Sequence, residues 1–394
     1  MQCTHHREGN KKENQTMKSF NGLYQAMIQP EEIVASIKEA AEHKTSRAEV
    51  SGVLRKVEKR ATAISKQLES GTWTPPRHQR STLQEGSHKK QRRIAKPMFD
   101  SEQIVHHMLM RQLRPILLPR MYEYSCGSVP GYGPLYAVRA MKRWRDSYGG
   151  KKFYVAELDV KKFYDNVDTE VLKTMLHRLI RDQRYLQILD RVIDSAAPGL
   201  PLGYYTSPWL GNWYLTALDC HIIHTLRPDH YLRYMDNLFL FSKNKRTLHR
   251  IVQNIECFLR ERLHLELNGS RQVYRFEGVS RKTGKPCGRA INALGFVIHR
   301  DRITLRKSIL KRARAKANRM YRLKRCRKID AAAMISYMGW IDHTDTYNYY
   351  RRWIRPKVNI QYCKRRISRL SKQKTGGKQR DRLEHCTRQP DGTA

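Results

Sequence analysis

The sequence predicts an α+β fold, an antiparallel sheet of short strands set among many helices. Three observations predict it. Apolar residues recur at helical spacing through most of the chain. Two segments, Lys152 to Val160 and Tyr231 to Phe241, are instead rich in β-branched and aromatic residues. A third region, Val273 to Arg306, carries hairpin signals around Thr283-Gly-Lys-Pro-Cys-Gly288.

In chain order, residues 1–20 are polar, basic and aperiodic, which predicts disorder. Ile33, Ile37 and Ala41, then Val50, Val53, Val57, Ile64 and Leu68, predict a helical stretch from about Pro30 to Ser70. A basic segment, His88 to Lys96, precedes a helix over Ser101 to Leu118, with Asp100 or Ser101 as its cap. The glycine-rich loop Cys126 to Gly133 gives way to a helix through Trp144. Lys152 to Val160 reads as a strand with Asp159 at its C-terminal end, and Asp168 caps a helix over Glu170 to Ile193. Gly199 to Pro208 is a turn-rich loop, and Trp209 to Leu226 is helical. Tyr231 to Phe241 reads as two strands about a turn, and Leu248 to Leu263 as an amphipathic helix. From Ser308 to about Leu370 the chain is helical and densely basic; the change in polarity near Lys307 predicts a lobe boundary.

Of 394 residues, 77 are Lys or Arg and 36 are Asp or Glu, a formal net charge of +41. Like charges at that density repel in a compact state, so a polyanion is the expected partner, and nucleic acid is the commonest. No run of about 18 apolar residues spans a bilayer and no secretory leader opens the chain, so the reading excludes a membrane partner and places the protein in the cytoplasm with reduced thiols. The eight cysteines form no Cys-x-x-Cys pair, which argues against a zinc ribbon.

The chemistry centres on two carboxylates in strand contexts 77 residues apart, Asp159 and Asp236. Aspartate is disfavoured inside strands, and burying it unpaired is costly. A divalent cation removes that cost. A pair of ions ~3.5–4 Å apart on such carboxylates activates a hydroxyl nucleophile and stabilises a leaving oxygen in phosphoryl transfer. The bland alternative makes one Asp a turn cap and pairs the other with a neighbouring cation such as Arg233.

Five segments weigh against that alternative. Leu158-Asp-Val-Lys-Lys-Phe-Tyr-Asp-Asn-Val-Asp168 resembles the first catalytic motif of bacterial reverse transcriptases, and the segment Gly199 to Leu215 resembles their second. Tyr231-Leu-Arg-Tyr-Met-Asp-Asn-Leu-Phe-Leu-Phe241 resembles the third, a Tyr-x-Asp-Asp box, and Leu263 to Asn268 and Ala293 to Phe296 resemble the two that follow. The resemblance runs from about Asn21 to Arg355 and is to the retron and group II intron-like superfamily. Gly288 to Ile298, Thr304 to Ser308 and Ser336 to Ile341 look most like the enzymes of diversity-generating retroelements and defence-associated relatives. Ser207-Pro208 instead resembles group II intron proteins.

The resemblance implies a right-hand polymerase, with fingers at 21–150, a palm of antiparallel sheet plus helices at 151–300, a helical thumb at 301–365 and a basic tail at 366–394. It implies an RNA-directed DNA polymerase making cDNA by two-metal nucleotidyl transfer, with two Mg²⁺ (or Mn²⁺) held by Asp159, Asp236, the Val160 carbonyl and Asn237. Asn237 departs from the pattern, standing where a second Asp is usual; its amide oxygen coordinates a hard cation without adding charge. Tyr164 would lie against the sugar of the incoming dNTP, its ordinary alternative being a core aromatic beside Phe163. Arg92, Arg93 and Lys96 would neutralise the triphosphate, against the alternative of a solvated basic face. Gly203 permits close backbone approach to a base pair or template strand.

Thr206 and Ser207 suit phosphate or sugar contacts, or loop capping. Arg306, Lys307 and Trp340 begin a basic, aromatic-interleaved track for template RNA and for primer or cDNA, although rings there also suit packing of the region's own core. A small basic accessory protein is a further implied partner. Two rival functions remain: an antiphage-defence polymerase with atypical or template-independent synthesis, and a catalytically silent RNA-binding or maturase-like protein.

Overall fold

The computed structural model describes residues 19–76, 80–85, 90–195, 198–280 and 283–369; within 80–93 it describes backbone but no side chains. The expected disorder of the N-terminal residues and of the tail from 370 onward therefore falls outside the described residues. The chain divides into two compact units, one comprising the residues up to Ala137 with Phe153–Arg275, the other Val138–Lys152 with the residues from Phe276 onward.

The first unit is built on a four-stranded antiparallel sheet in the order β4-β5-β3-β6. β3 (Tyr154–Asp159) lies between β5 (Asn237–Ser242) and β6 (Gln272–Arg275), and β4 (His230–Tyr234) lies on the outer side of β5. Leu238, Phe239, Leu240 and Phe241 are all buried, so both faces of β5 are covered, which accounts for its unbroken apolar run. Helix α12 (Lys245–Leu263) packs across β3, β5 and β6 through Leu248, Ile251, Ile255 and Leu259.

Around this lie α1 (Leu23–Met27), α2 (Pro30–Ala41), α3 (Ala48–Arg55), α4 (Val57–Glu69) and α5 (Ile104–Leu117). The hairpin β1 (Arg80–Glu85) to β2 (Lys90–Ala95) follows α4 in sequence. After β3 come α7 (Phe163–Asn166), α8 (Thr169–Leu179), α9 (Gln183–Asp194), α10 (Ser207–Tyr214) and α11 (Thr216–His221). The Asp168 carboxylate caps α8 as expected, accepting from the backbone N–H groups of Glu170 and Val171 at 2.9 and 3.1 Å.

The second unit contains a three-stranded antiparallel sheet, β9 (Ile291–Ala293), β10 (Phe296–Ile298) and β11 (Ile303–Leu305), and the short hairpin β7 (Gly278–Val279) to β8 (Pro286–Cys287). Helices α13 (Lys307–Arg322), α14 (Lys328–Ile341) and α15 (Tyr347–Trp353) follow, with a further helix over 360–369. Helix α6 (Pro134–Ser147) runs into this unit from Val138.

Several expectations need correction. The stretch from Pro30 to Ser70 is three helices, because polar Glu42–Arg47 interrupts the apolar stripe and His43 takes a positive φ of 60°. Neither Asp100 nor Ser101 caps the next helix; its first turn, Phe99–Gln103, is a π-turn in which Glu49 accepts from the Phe99 N–H. The helix expected over Glu170 to Ile193 breaks at Ile180, and Asp182 caps the second half. Helicity expected from Trp209 begins at Ser207 and ends in a π-turn, Ile222–Leu226. Phe20, placed in a disordered segment, bridges to Ile180, and 366–369 are helical rather than tail. The unit boundary at Arg275 precedes the polarity change at Lys307, because the β9–β11 sheet packs with the basic helices that follow it.

Candidate active site

Asp159 closes β3 and stands directly opposite Asn237, the first residue of β5, so their side chains share one face of the sheet with Cα atoms about 4.5–5.5 Å apart. Asp236 occupies the two-residue turn between β4 and β5, and its backbone carbonyl accepts from the Val160 N–H at 3.1 Å. The backbones of Asp159 and Asp236 are therefore brought together at one end of the sheet. Both are half-buried, accessible to a ligand yet partly desolvated.

The turn is held from beneath. Met235 adopts φ +55°, an unusual conformation for a non-glycine residue that a surrounding structure must enforce. The enforcing group is Arg233, fully buried. Its Nε and one terminal nitrogen donate to the two Asp219 oxygens at 2.8 and 2.6 Å; the remaining bonds go to the Asn212 amide oxygen, the Asn212 carbonyl and the Met235 carbonyl. All five guanidinium N–H groups are thus engaged, which rules out the expected alternative that Arg233 neutralises Asp236. Burial would lower the Arg233 pKa, but the bidentate Asp219 carboxylate outweighs it and raises it. On the other side, a Cβ added to Gly127 would meet the Met235 Cγ at 2.5 Å, so only glycine lets that loop approach the turn.

Each aspartate receives one amide donor. Asn268 donates from Nδ2 to Asp159 Oδ2 at 3.1 Å, and its backbone N–H donates to the Asp159 carbonyl at 2.7 Å. Asn237 donates from Nδ2 to Asp236 Oδ1 at 3.2 Å. Asp159 Oδ1 carries no hydrogen bond among the described residues. The Asn237 amide nitrogen is thus directed at its neighbouring carboxylate, an orienting contact.

Tyr164 follows β3 on α7, half-buried, with its ring edge-on to Phe163 at 5.2 Å. Burial pushes its hydroxyl pKa up, and the nearby Asp236 carboxylate pushes it further. Its carbonyl accepts from the Leu200 N–H at 2.7 Å, and Gly199, at φ +78°, packs directly on the Tyr164 backbone. Two residues on, the Ala95 N–H donates to the Leu202 carbonyl at 2.8 Å. Gly203, at φ +109°, lies so close to the Ala95 carbonyl that no Cβ fits. The 199–203 loop therefore ties Tyr164 to the end of β2. Gly203 serves this backbone packing, whereas close approach to a nucleic acid was expected. Arg92 and Arg93 lie on β2, their side chains outside the described residues, and Lys96 is exposed just beyond it.

Other expected residues take structural roles. Thr206 and Ser207 are 1% and 2% exposed; the Thr206 carbonyl accepts the first bonds of α10 and the Ser207 hydroxyl donates to the Pro201 carbonyl at 2.7 Å. Loop closure, the alternative open from sequence, describes them. Trp340 stacks on Phe296 at 5.1 Å and lies 2.6 Å from where a Gly295 Cβ would be, so one ring face is used in packing. Arg306 donates to the Asn292 side chain and carbonyl, and Lys307 is exposed at the start of α13. Sequence reasoning missed Asn268 and the Arg233–Asp219–Asn212 network as supports of the site. Asn268 lay at the end of a quoted motif, and Arg233 and Asn212 inside two others; Asp219 carried no such signal.

An oxygen-donor set around a half-buried acidic pair suits a hard divalent cation. No group of three or more His, Cys, Asp or Glu gathers among the described residues, so the set has two acids with an amide beside them. Fold and site together define an α+β chain with an acidic pair at the end of an antiparallel sheet. Residues 87–274 match the family model described as "Reverse transcriptase (RNA-dependent DNA polymerase)". The Group II intron-encoded protein LtrA of Lactococcus lactis subsp. cremoris is 24% identical over 219 residues, 52% of this chain and 35% of that protein, and the same protein of strain MG1363 matches equally. The chain thus spans about a third of the length of the curated relatives it matches. Among solved structures, apo telomerase from Candida tropicalis, truncated from its C-terminal domain, overlaps at a TM-score of 0.43 and 12% identity, covering 62% of this chain and 59% of that one. Telomerase from Candida albicans in complex with a TWJ fragment of telomeric RNA overlaps at 0.44 and 12%, covering 76% and 61%. No helix among the described residues is long and apolar enough to cross a membrane.

Proposed function

We propose that the protein is an RNA-directed DNA polymerase whose nucleotidyl transfer takes place at Asp159 and Asp236. The observation that carries this is their placement side by side by the β3–β5 register and the Val160–Asp236 backbone bond. Divalent cations held by the two carboxylates, with the Val160 carbonyl, would supply charge neutralisation for the attacking hydroxyl and the leaving pyrophosphate; Mg²⁺ is the first choice and Mn²⁺ the second. Asn268 and Asn237 orient the carboxylates. Tyr164, wedged beside Asp236, presents a ring to the sugar of an incoming dNTP and so excludes a 2′-hydroxyl. Arg92, Arg93 and Lys96 provide cations for its triphosphate from the strand end that the 199–203 loop holds. In this reading 21–150 are fingers, 151–300 palm and 301–365 thumb.

The basic helices of the second unit fit a track for template RNA and cDNA. On α13, Lys307, Lys311 and Arg312 are accompanied by the exposed Tyr321, and α15 carries the exposed Tyr347. The likeness to a group II intron-encoded protein supports a retroelement setting, with the diversity-generating and defence-associated types as the finer choices. Asn237 favours a second reading, an RNA-binding protein without catalysis, because it subtracts one charge from the cation site. Primer extension on an RNA template with each metal distinguishes them: dNTP incorporation that requires added template supports the polymerase, synthesis without template favours the defence type, and no incorporation with either metal overturns catalysis.

A further inference from the structure

A second recess lies on α1, α4 and α9, helices that carry no residue of the carboxylate site. It is a cavity of about 210 Å³ whose floor is Tyr24, Leu68, Trp73 and Ile188, all buried. Tyr24 is 4% exposed, and its hydroxyl has no hydrogen-bond partner. A buried hydroxyl left without a partner is costly. Neighbouring bonds hold the floor in place. The Tyr24 N–H donates to Asp182 at 2.8 Å, and the Trp73 indole N–H donates to the Ser101 carbonyl at 2.9 Å.

The rim is polar, with two cations, Arg184 and Arg191, and one anion, Glu69. Arg184 lies over the Tyr24 ring, its guanidinium carbon 5.0 Å from the centroid. Arg191 is fixed by one terminal nitrogen, which donates to the Gly71 and Trp73 carbonyls at 3.2 and 2.9 Å. Its other N–H groups carry no hydrogen bond among the described residues. Gln187 and Glu69 complete the rim, with Glu69 Oε1 accepting from Ser65 at 3.0 Å.

We propose that this recess binds one unpaired nucleotide of a single-stranded nucleic acid, base inward and phosphate at the rim. The volume falls below the ~300–1,000 Å³ of pockets for drug-sized ligands, leaving room for a planar ring system with its sugar and phosphate outside. An apolar, aromatic floor suits the face of a base. Glu69 and Gln187 suit exocyclic N–H and carbonyl groups, and the two arginines suit the flanking phosphates. A chain of net charge +41 brings polyanions to its surface in any case, so what the pocket adds is the capture of a single base.

The site does not depend on the polymerase reading. The test is ultraviolet crosslinking of full-length protein to random-sequence RNA pools, one carrying 5-iodouridine and one 8-azidoadenosine, with the joined peptides mapped by mass spectrometry. Crosslinks are expected at Tyr24 or Trp73. Their yield should fall at least tenfold in an Arg184→Ala/Arg191→Ala variant, while yields elsewhere stay unchanged. Asp236→Ala should leave them intact, which separates this proposal from the catalytic one. Competition by free nucleoside monophosphates would support the same pocket and assign the free nucleotide as its occupant. No crosslink at either residue, or an unchanged yield in the double variant, would overturn the proposal.

Discussion

In the proposed reading, Asn237 sets how much charge the site offers a cation. Its amide donates to Asp236 and adds no negative charge of its own. Asn237→Asp should therefore raise Mg²⁺-dependent primer extension by about tenfold, equivalent to roughly 1.4 kcal/mol of transition-state stabilisation, and lower the Mg²⁺ concentration giving half-maximal rate. A steady-state metal titration of both proteins checks this, and an unchanged or reduced rate would show that the amide contact matters more than the charge. The two aspartates were legible in the sequence because acidic residues are out of place in apolar strands. Asn268 was legible only as part of a motif, since its role needs the β3 end and the 266–268 segment to come together. Thr206 and Ser207 misled for a related reason: a hydroxyl in a loop reads the same whether it faces a phosphate or the Pro201 carbonyl.

At the scale of elements, the loop bearing Gly203 stands on α2 and α5. Tyr205 stacks on His107, ring centroids 3.7 Å apart, and its hydroxyl donates to Glu39, which also accepts from Arg111 and Arg114. Burial would push the Glu39 carboxyl up, but the Arg111 hydrogen bond, the Arg114 charge and Tyr205 outweigh it and hold it at about 2. Burial holds His107 down to about 4, against the pull of Glu39 and with Lys44 and Arg114 adding to the depression. For both groups the unfolded chain binds more protons than the folded one in the interval between the two pKa values, so stability is lost there as pH is lowered. The His107 contribution is lost from about pH 6.5 toward 4, and the Glu39 contribution from about 4.5 toward 2. Thermal unfolding across pH 7 to 3 should show Tm falling through both windows, with the lower one flattened in Glu39→Gln. An equally steep fall in the variant would remove Glu39 from the account. Helix and strand positions were largely legible from periodicity; the breaks at Glu42–Arg47 and Ile180 were not, because a stripe restarts after them in a form that a single helix also permits.

Over the whole molecule, excess positive charge is the property most directly written in composition. If the basic helices contact phosphates, RNA affinity should fall steeply with salt, by roughly 10³ between 50 and 200 mM for 6–10 contacts. A flat titration would separate the charge from nucleic-acid binding. The sheet and its acidic turn were foreseeable from the motif order. The division at Arg275 was not, since it depends on β9–β11 joining the helices that follow rather than the strands that precede them.

Asp159 and Asp236 are claimed to act as one unit. Primer extension by Asp159→Asn, Asp236→Asn and the double variant measures that claim most directly, because an isosteric amide keeps the shape and removes the charge. Each single variant should lose nearly all activity, the double should lose little more than either, and RNA binding should stay near that of the unaltered protein. A single variant that extends primer at the unaltered rate would contradict the account.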